Sequence, residues 1–284
     1  MFKRVLRRYI IPVIFVIGVL IFFYPIIGNW LSTKDHYEVI SRHNEVLAQM
    51  SEEEKKKEKE KAKEYNESIT EKDIPIIDPF SEESAEQTES RSYYNVLEIG
   101  ETMGTIEIPS IHVNLPIYHG ISEKVLSQGI GHLSNSSFPV GGLGTHSALT
   151  GHRGLPSSKL FRDLDKLEIN DVFYIHTLDE TLAYKVDQID VVLPTETNWL
   201  EIREDKDYVT LITCEPYMIN THRLLVRGER VPYDPVVKAN VVPKEKDHIQ
   251  LFELALFIGG IVIIVSFMFR YIFRIKWRKG ESDA

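Results

Sequence analysis

Val209–Gly228 reads VTLITCEPYMINTHRLLVRG, and the fold is read outward from it. Val209–Thr213 is rich in β-branched and apolar residues and predicts a strand. Leu224–Glu229 predicts the next one. Cys214 then sits near a strand end, and Arg223, nine residues later, opens the following strand. Toward the N-terminus, from Tyr94, apolar residues recur with period two. Val96–Ile99, Gly104–Ile108, Val113–Tyr118, Ser147–Thr150, Val172–His176 and Thr181–Val192 all read as strands separated by turn residues. Short helices are predicted over Glu123–Gln128 and Leu160–Leu164. Many short strands with few helices point to a closed barrel or a sandwich, so the fold class is mainly β.

The composition sets outer limits. With 284 residues, 43% of them hydrophobic, the chain is long enough for one or two domains with a real core. A single cysteine excludes an internal disulfide, a four-thiolate zinc site and a cysteine-ligated iron–sulfur cluster. A net charge of -9 argues against nucleic acid as the main partner, because phosphate binding needs basic surface.

Two uncharged or nearly uncharged runs stand at opposite ends. Tyr9–Ile27 is YIIPVIFVIGVLIFFYPII, and Leu251–Phe269 is LFELALFIGGIVIIVSFMF, with Glu253 its only charge. Each is long enough to cross a hydrocarbon core as a helix. Lys3, Arg4, Arg7 and Arg8 precede the first; Arg270, Arg274, Lys276, Arg278 and Lys279 edge or follow the second. Basic flanks stay cytoplasmic, so both termini are expected inside and everything between the spans outside. The first run is too long for a typical cleaved signal peptide, and no small-x-small site follows it. Without its basic flanks the outer portion is more acidic still, which suits a partner surface bearing exposed lysines.

The expected layout is a basic flank and first transmembrane helix over 1–31, a Glu/Lys-rich exposed helical segment over 32–72, an irregular segment over 73–93, the strand-rich domain over 94–234, a connector over 235–248, a second transmembrane helix over 249–273 and a basic tail over 274–284. The irregular segment carries an apolar island, Ile74–Phe80, that needs a place to dock.

A lone thiol outside the cytoplasm is an inert hydrophobe, an intermolecular linker or a nucleophile. Its surroundings favour the last. His146–Gly154, HSALTGHRG, places His152 just after a short apolar strand. A free thiol is only a few per cent thiolate at neutral pH, and a nearby imidazolium or guanidinium favours the charged form. Arginine also serves as a preorganised donor to an oxyanion. Cys214, His152 and Arg223 thus make a minimal set for thiol-dependent acyl transfer, with no metal or cofactor.

These residues resemble the sortases of Gram-positive bacteria. Thr210–Cys214 matches their TLxTC strand, Arg223 falls in the expected place after it, and Ala148–His152 matches the histidine strand. The similarity runs from about Val96 to Val231. His146–Gly154 and Asn220–Gly228 look like the pilus-building class C. That class has a lid bearing Asp-Pro and an aromatic, and Asp78-Pro79-Phe80 lies where such a lid belongs; Phe80 replaces the more frequent tryptophan. A second membrane span is also common in class C. Glu215 follows the cysteine where threonine is common, and a carboxylate there raises the thiol pKa unless it points away.

The resemblance implies an eight-stranded sortase-type β-barrel with short helices. It implies that Cys214 attacks the Thr–Gly bond of an LPxTG-type sorting signal to form a thioacyl-enzyme. His152 would move protons to the leaving amine and from the incoming one, and Arg223 would hold the carbonyl or oxyanion. A pilin lysine would take the acyl group, so the partners are pilins with a sorting signal and an acceptor lysine. A housekeeping sortase using a peptidoglycan precursor is the first alternative, a cysteine hydrolase the second and a non-catalytic membrane-anchored scaffold the third. His112, His119, His132 and His176 read as loop or surface histidines, and His146 and His222 as structural hydrogen-bonders. Leu193–Thr197, LPTET, reads as a turn rather than a sorting signal.

Overall fold

The computed structural model describes residues 2–70, 78–81, 91–153, 155–196, 198–235, 259, 260 and 270. The island residues Ile74–Ile77, the connector and nearly all of the second apolar run lie outside these. The chain divides into two compact units, Met1–Phe23 with Val242–Ala284 and Tyr24–Val241, and every residue singled out for chemistry belongs to the second.

Helix α1, Phe2–Gln49, runs on without a break from the first apolar stretch into the polar segment. From Val13 it is long and apolar enough to cross a membrane, and Val13, Ile14, Leu20, Ile21 and Phe22 are all exposed. Exposed apolar side chains on a helix of that length fit a lipid surrounding. Helix α2, Glu52–Thr70, follows at once. Its start is a capping box: the Glu54 N–H donates to Ser51 Oγ at 3.3 Å, and the Ser51 N–H donates to Glu54 Oε2 at 2.8 Å.

The expectation that this Glu/Lys-rich region is simply exposed is corrected on one face of α2. Ala62, Asn66 and Ile69 are buried against the globular unit. Asn66 donates to the Phe138 carbonyl at 3.2 Å and accepts from the Phe138 N–H at 2.7 Å, while Glu58 accepts from the Leu97 N–H at 3.1 Å. Short Glu/Lys-rich helices show this only in three dimensions, because the buried stripe is made of small and polar residues.

A four-residue helix α3, Arg91–Tyr94, leads to the barrel. Val96–Ile99 does not form the expected strand. Val96, Leu97 and Ile99 are buried, but Leu97 takes a positive φ of 53°, which breaks an extended run. The strands are β1 Gly104–Ile108, β2 Val113–His119, β3 Ile130–His132, β4 Thr145–Thr150, β5 Val172–Thr177, β6 Glu180–Val192, β7 Asp207–Glu215 and β8 His222–Val231, with helix α4, Glu123–Gln128, between β2 and β3. They close in the order β1-β2-β3-β4-β7-β8-β6-β5. The fold is therefore a closed eight-stranded barrel, as expected.

Two parallel pairings, β2 with β3 and β4 with β7, interrupt an otherwise antiparallel barrel. Strand β3 is only three residues long and escaped the sequence reading, since so short a run shows no periodicity. Leu160–Leu164 forms turns that lead into a 3-10 turn, Leu164–Lys166, rather than the expected helix. Leu193–Glu196 is a turn closed by the Glu196 N–H on the Leu193 carbonyl at 2.9 Å.

The main core fills the barrel with residues such as Ile106, Ile117, Leu149, Phe173, Leu211 and Val226. A smaller apolar cluster lies apart from it, built from Ile121, Leu133, Ala148, Leu200, Ile212 and Leu225. His132 is corrected from a surface to a core residue. It has no exposed surface and stacks on Phe138 and Tyr93 at centroid distances of 4.9 and 5.8 Å. Burial holds its imidazole down at about 3, so it is neutral there.

Candidate active site

Pairing registers bring the three chemistry-bearing residues together. On β7 and β8 Cys214 stands directly opposite Arg223. Ile212 and Leu225 pair two residues back, so the period of two puts all four on one face. That is the face carrying the smaller apolar cluster, outside the barrel core. Strands β4 and β7 run parallel with Thr150 paired to Ile212. Two residues further along each chain stand His152 and Cys214. The Gly151 N–H donates to the Ile212 carbonyl at 3.1 Å, and Thr213 Oγ1 donates to the Gly151 carbonyl at 2.7 Å. Gly151 is needed there: a Cβ would come within 2.6 Å of Ile130 Cδ1 and 3.0 Å of Phe161.

Asp78, Pro79 and Phe80 form a turn against this face. Both carboxylate oxygens of Asp78 accept from Arg223, from Nε at 2.7 Å and from the terminal nitrogen Nη2 at 2.6 Å. The two side chains are 8% and 9% exposed, so this is a buried fork-to-fork pair. The Phe80 ring packs against the smaller apolar cluster, 5.2 Å from the Arg223 guanidinium carbon and 5.7 Å from the His152 ring. The segment therefore touches two of the three residues. Cys214 is 6% exposed. Burial pushes its thiol up to about 11; Asp78 adds to this, and Arg223 and Arg153 oppose it.

Two charged neighbours were not anticipated. His152 Nε2 is buried without a hydrogen-bond partner among the described residues, and Glu123 Oε1 lies 3.3 Å from it. Arg153 is buried and its guanidinium pairs with Glu215 and, at 2.7 Å, with Asp165. Glu215 thus turns away from the thiol beside it. Neither contact is visible in the sequence, because both partners come from segments far apart along the chain. His146 makes structural bonds, with Nε2 2.7 Å from Thr210 Oγ1 and Nδ1 2.9 Å from the Glu201 carbonyl. Burial holds it at about 4.

The model of the sortase domain family matches residues 106–231. A crystal structure of Streptococcus pneumoniae sortase C superposes with a TM-score of 0.65 at 45% identity, covering 69% of this chain and 97% of that one. The chain belongs to the sortase family. A pilus-related sortase C of Group B Streptococcus also superposes, with a TM-score of 0.62 at 41% identity over 67% of this chain and 95% of its own. Sortase A of Bacillus anthracis is 33% identical over 46% of this chain, and the match spans 60% of that relative's length. Sortases are cysteine transpeptidases anchored in the membrane with the catalytic domain outside the cytoplasm. This sortase is an enzyme of that kind, and α1 supplies an apolar helix suited to the anchor.

Proposed function

We propose that the sortase polymerises pilins. Cys214 attacks the Thr–Gly bond of an LPxTG-type signal, and the thiol proton passes by way of His152 to the departing glycine amine. The thioacyl carbonyl is then attacked by a pilin lysine amine, whose proton returns to His152 as the thiolate leaves. Arg223 holds the carbonyl oxygen through both steps. The apolar patch of Ile121, Leu133, Ala148, Ile212 and Leu225 receives the Leu-Pro end of the signal. The observation that carries this reading is the placement of Cys214 across from Arg223, with His152 leading off the strand that pairs with β7.

In this arrangement Asp78 occupies the guanidinium that the substrate carbonyl needs, and Phe80 the apolar site its Leu-Pro end needs. The 78–80 turn is then a lid that withdraws before acylation. The presence of a lid and the likeness to pilus-related neighbours favour pilin polymerisation over anchoring to a peptidoglycan precursor. Both chain termini lie in the cytoplasm, with the second apolar run as a second span.

Substituting Cys214, His152 or Arg223 singly by alanine is expected to abolish pilin laddering on denaturing gels while circular dichroism stays that of the parent. Each residue supplies a different part of one acyl transfer, so none substitutes for another. Full laddering by Cys214→Ala would sink this reading.

A further inference from the structure

The parallel pairing of β4 and β7 has a next rung beyond its hydrogen bonds. Thr150 pairs with Ile212, which sets His152 level with Cys214 and Arg153 level with Glu215. On that rung the backbones no longer pair, and the connection is an ion pair between the side chains of Arg153 and Glu215. Arg153 is 6% exposed, and its other contacts face the same loop region: Asp165 Oδ2 at 2.7 Å and the Arg162 carbonyl at 3.4 Å. Glu215 is three-quarters buried as a side chain. A strand's side chains alternate between faces, so Glu215 points away from the face that Cys214 shares with Arg223.

We infer that Arg153 is a positioning residue for the transpeptidation: through Glu215 it fastens the segment carrying His152 to the strand end carrying Cys214 and keeps the neighbouring carboxylate turned from the thiol. The reasoning is geometric first. His152 lies one residue past the last backbone contact between these strands; its carbonyl accepts from the Phe161 N–H at 3.1 Å, which ties the loop to its own neighbours, and beyond Gly151 the Arg153–Glu215 pair is what ties it to β7. A shift of about 1 Å in such a constellation is enough to cost on the order of a hundredfold in rate. The electrostatics add to it. The charges acting on the thiol are Arg223 on β8 and Arg153 after β4, which favour the thiolate, and Asp78 on the lid, which opposes it; Glu215, the partner of Arg153, is the residue next to Cys214. Take away the guanidinium, and Glu215 becomes an unpaired anion one residue from Cys214.

This inference rests on Cys214 being the nucleophile, and the two are tested separately. The full chain in detergent is reacted with iodoacetamide across a pH series and assayed for cleavage of an LPxTG peptide. A parent that gives no thioacyl-enzyme by mass spectrometry overturns the functional reading itself. With that in hand, Arg153→Gln is expected to raise the alkylation midpoint by about half a unit or more. It should also cut kcat about tenfold while KM stays within twofold. Arg153→Lys keeps the cation and should return the midpoint to the parent's value. Arg153→Gln with Glu215→Gln removes the stranded anion and should bring the midpoint part of the way back, Arg153's own charge being absent in both variants, which a purely structural role would not do. An unmoved midpoint and kcat in Arg153→Gln, or a raised midpoint that the double substitution leaves in place, overturns the inference. Should Arg153→Gln not fold, Glu215→Gln alone is expected to lower the midpoint, and an unmoved midpoint there overturns it equally.

Discussion

Asp78 and Phe80 do opposite kinds of work at one site. The carboxylate satisfies a buried guanidinium, and the ring packs on the smaller apolar cluster between the Arg223 guanidinium and the His152 ring. Breaking such a pair by removing one partner leaves a buried charge and costs several kcal/mol, so a lid that loses Asp78 undocks rather than staying in place. With Phe80 gone too, little apolar area holds it. Asp78→Ala with Phe80→Ala is expected to speed alkylation of Cys214 by roughly tenfold or more at neutral pH. The pH profile should move as well. With the lid closed, the thiol titrates at about 11, against an ordinary value of 9.0. A group whose pKa is raised in one state favours that state while it is protonated, so lid closure is favoured fully below about 9 and weakened as pH rises toward about 11. In the double variant the alkylation midpoint should fall toward 9.0. A rate and midpoint equal to the parent's would show that the segment is a tether and not a lid.

At the scale of elements, the Glu/Lys-rich helix α2 is held by a few specific bonds rather than by a broad apolar stripe. Its lysines Lys55 and Lys59 pair with Asp179 and Glu180 at the β5–β6 turn. Exposed pairs of this sort contribute little. Asn66 is different, being buried and bonded to both the N–H and the carbonyl of Phe138, next to the His132 stack. Replacing it by alanine leaves the buried Phe138 N–H without a partner, at about 1 kcal/mol or more, while the Phe138 carbonyl keeps the Val140 N–H at 2.8 Å. Asn66→Ala is therefore expected to lower the melting temperature by about 2–4 °C. Lys59→Ala should shift it by about a degree at most, given what exposed pairs contribute. Differential scanning calorimetry of the full chain in detergent makes the comparison, and equal effects from the two substitutions would refute the account of how α2 docks.

At the scale of the molecule, the catalytic unit of a sortase stands outside the cytoplasm, and helix α1 contains the first apolar run. With basic residues at both ends of the chain, a two-span topology puts Ala284 in the cytoplasm. A reporter enzyme active only outside the cell, fused after Ala284, should stay silent, while the same reporter inserted at the exposed Leu143 loop should be active. Activity at Ala284 would leave a single span.

Strand periodicity, the lone thiol, the HSALTGHRG and TLITC segments and the apolar first run are local properties. A mainly β fold, a thiol site and a membrane anchor were therefore legible from the sequence, while the choice of barrel over sandwich came from the resemblance to sortases. Helix α4 was placed to the residue, and the structure shows its start fixed locally, Ser122 accepting from the Val125 N–H. What only the tertiary structure decided depends on register. The level placement of His152 with Cys214 follows from a parallel pairing between strands far apart in the chain, and so does the Arg153–Glu215 pair beyond it. The buried faces of α2 and His132 likewise depend on partners that no local pattern names, and the run Val96–Ile99, extended by composition, is bent by the space left for it. Burial and charge pairing are properties of assembled surfaces, which is why Glu215, worrying when read beside Cys214, proves to be turned away and paired.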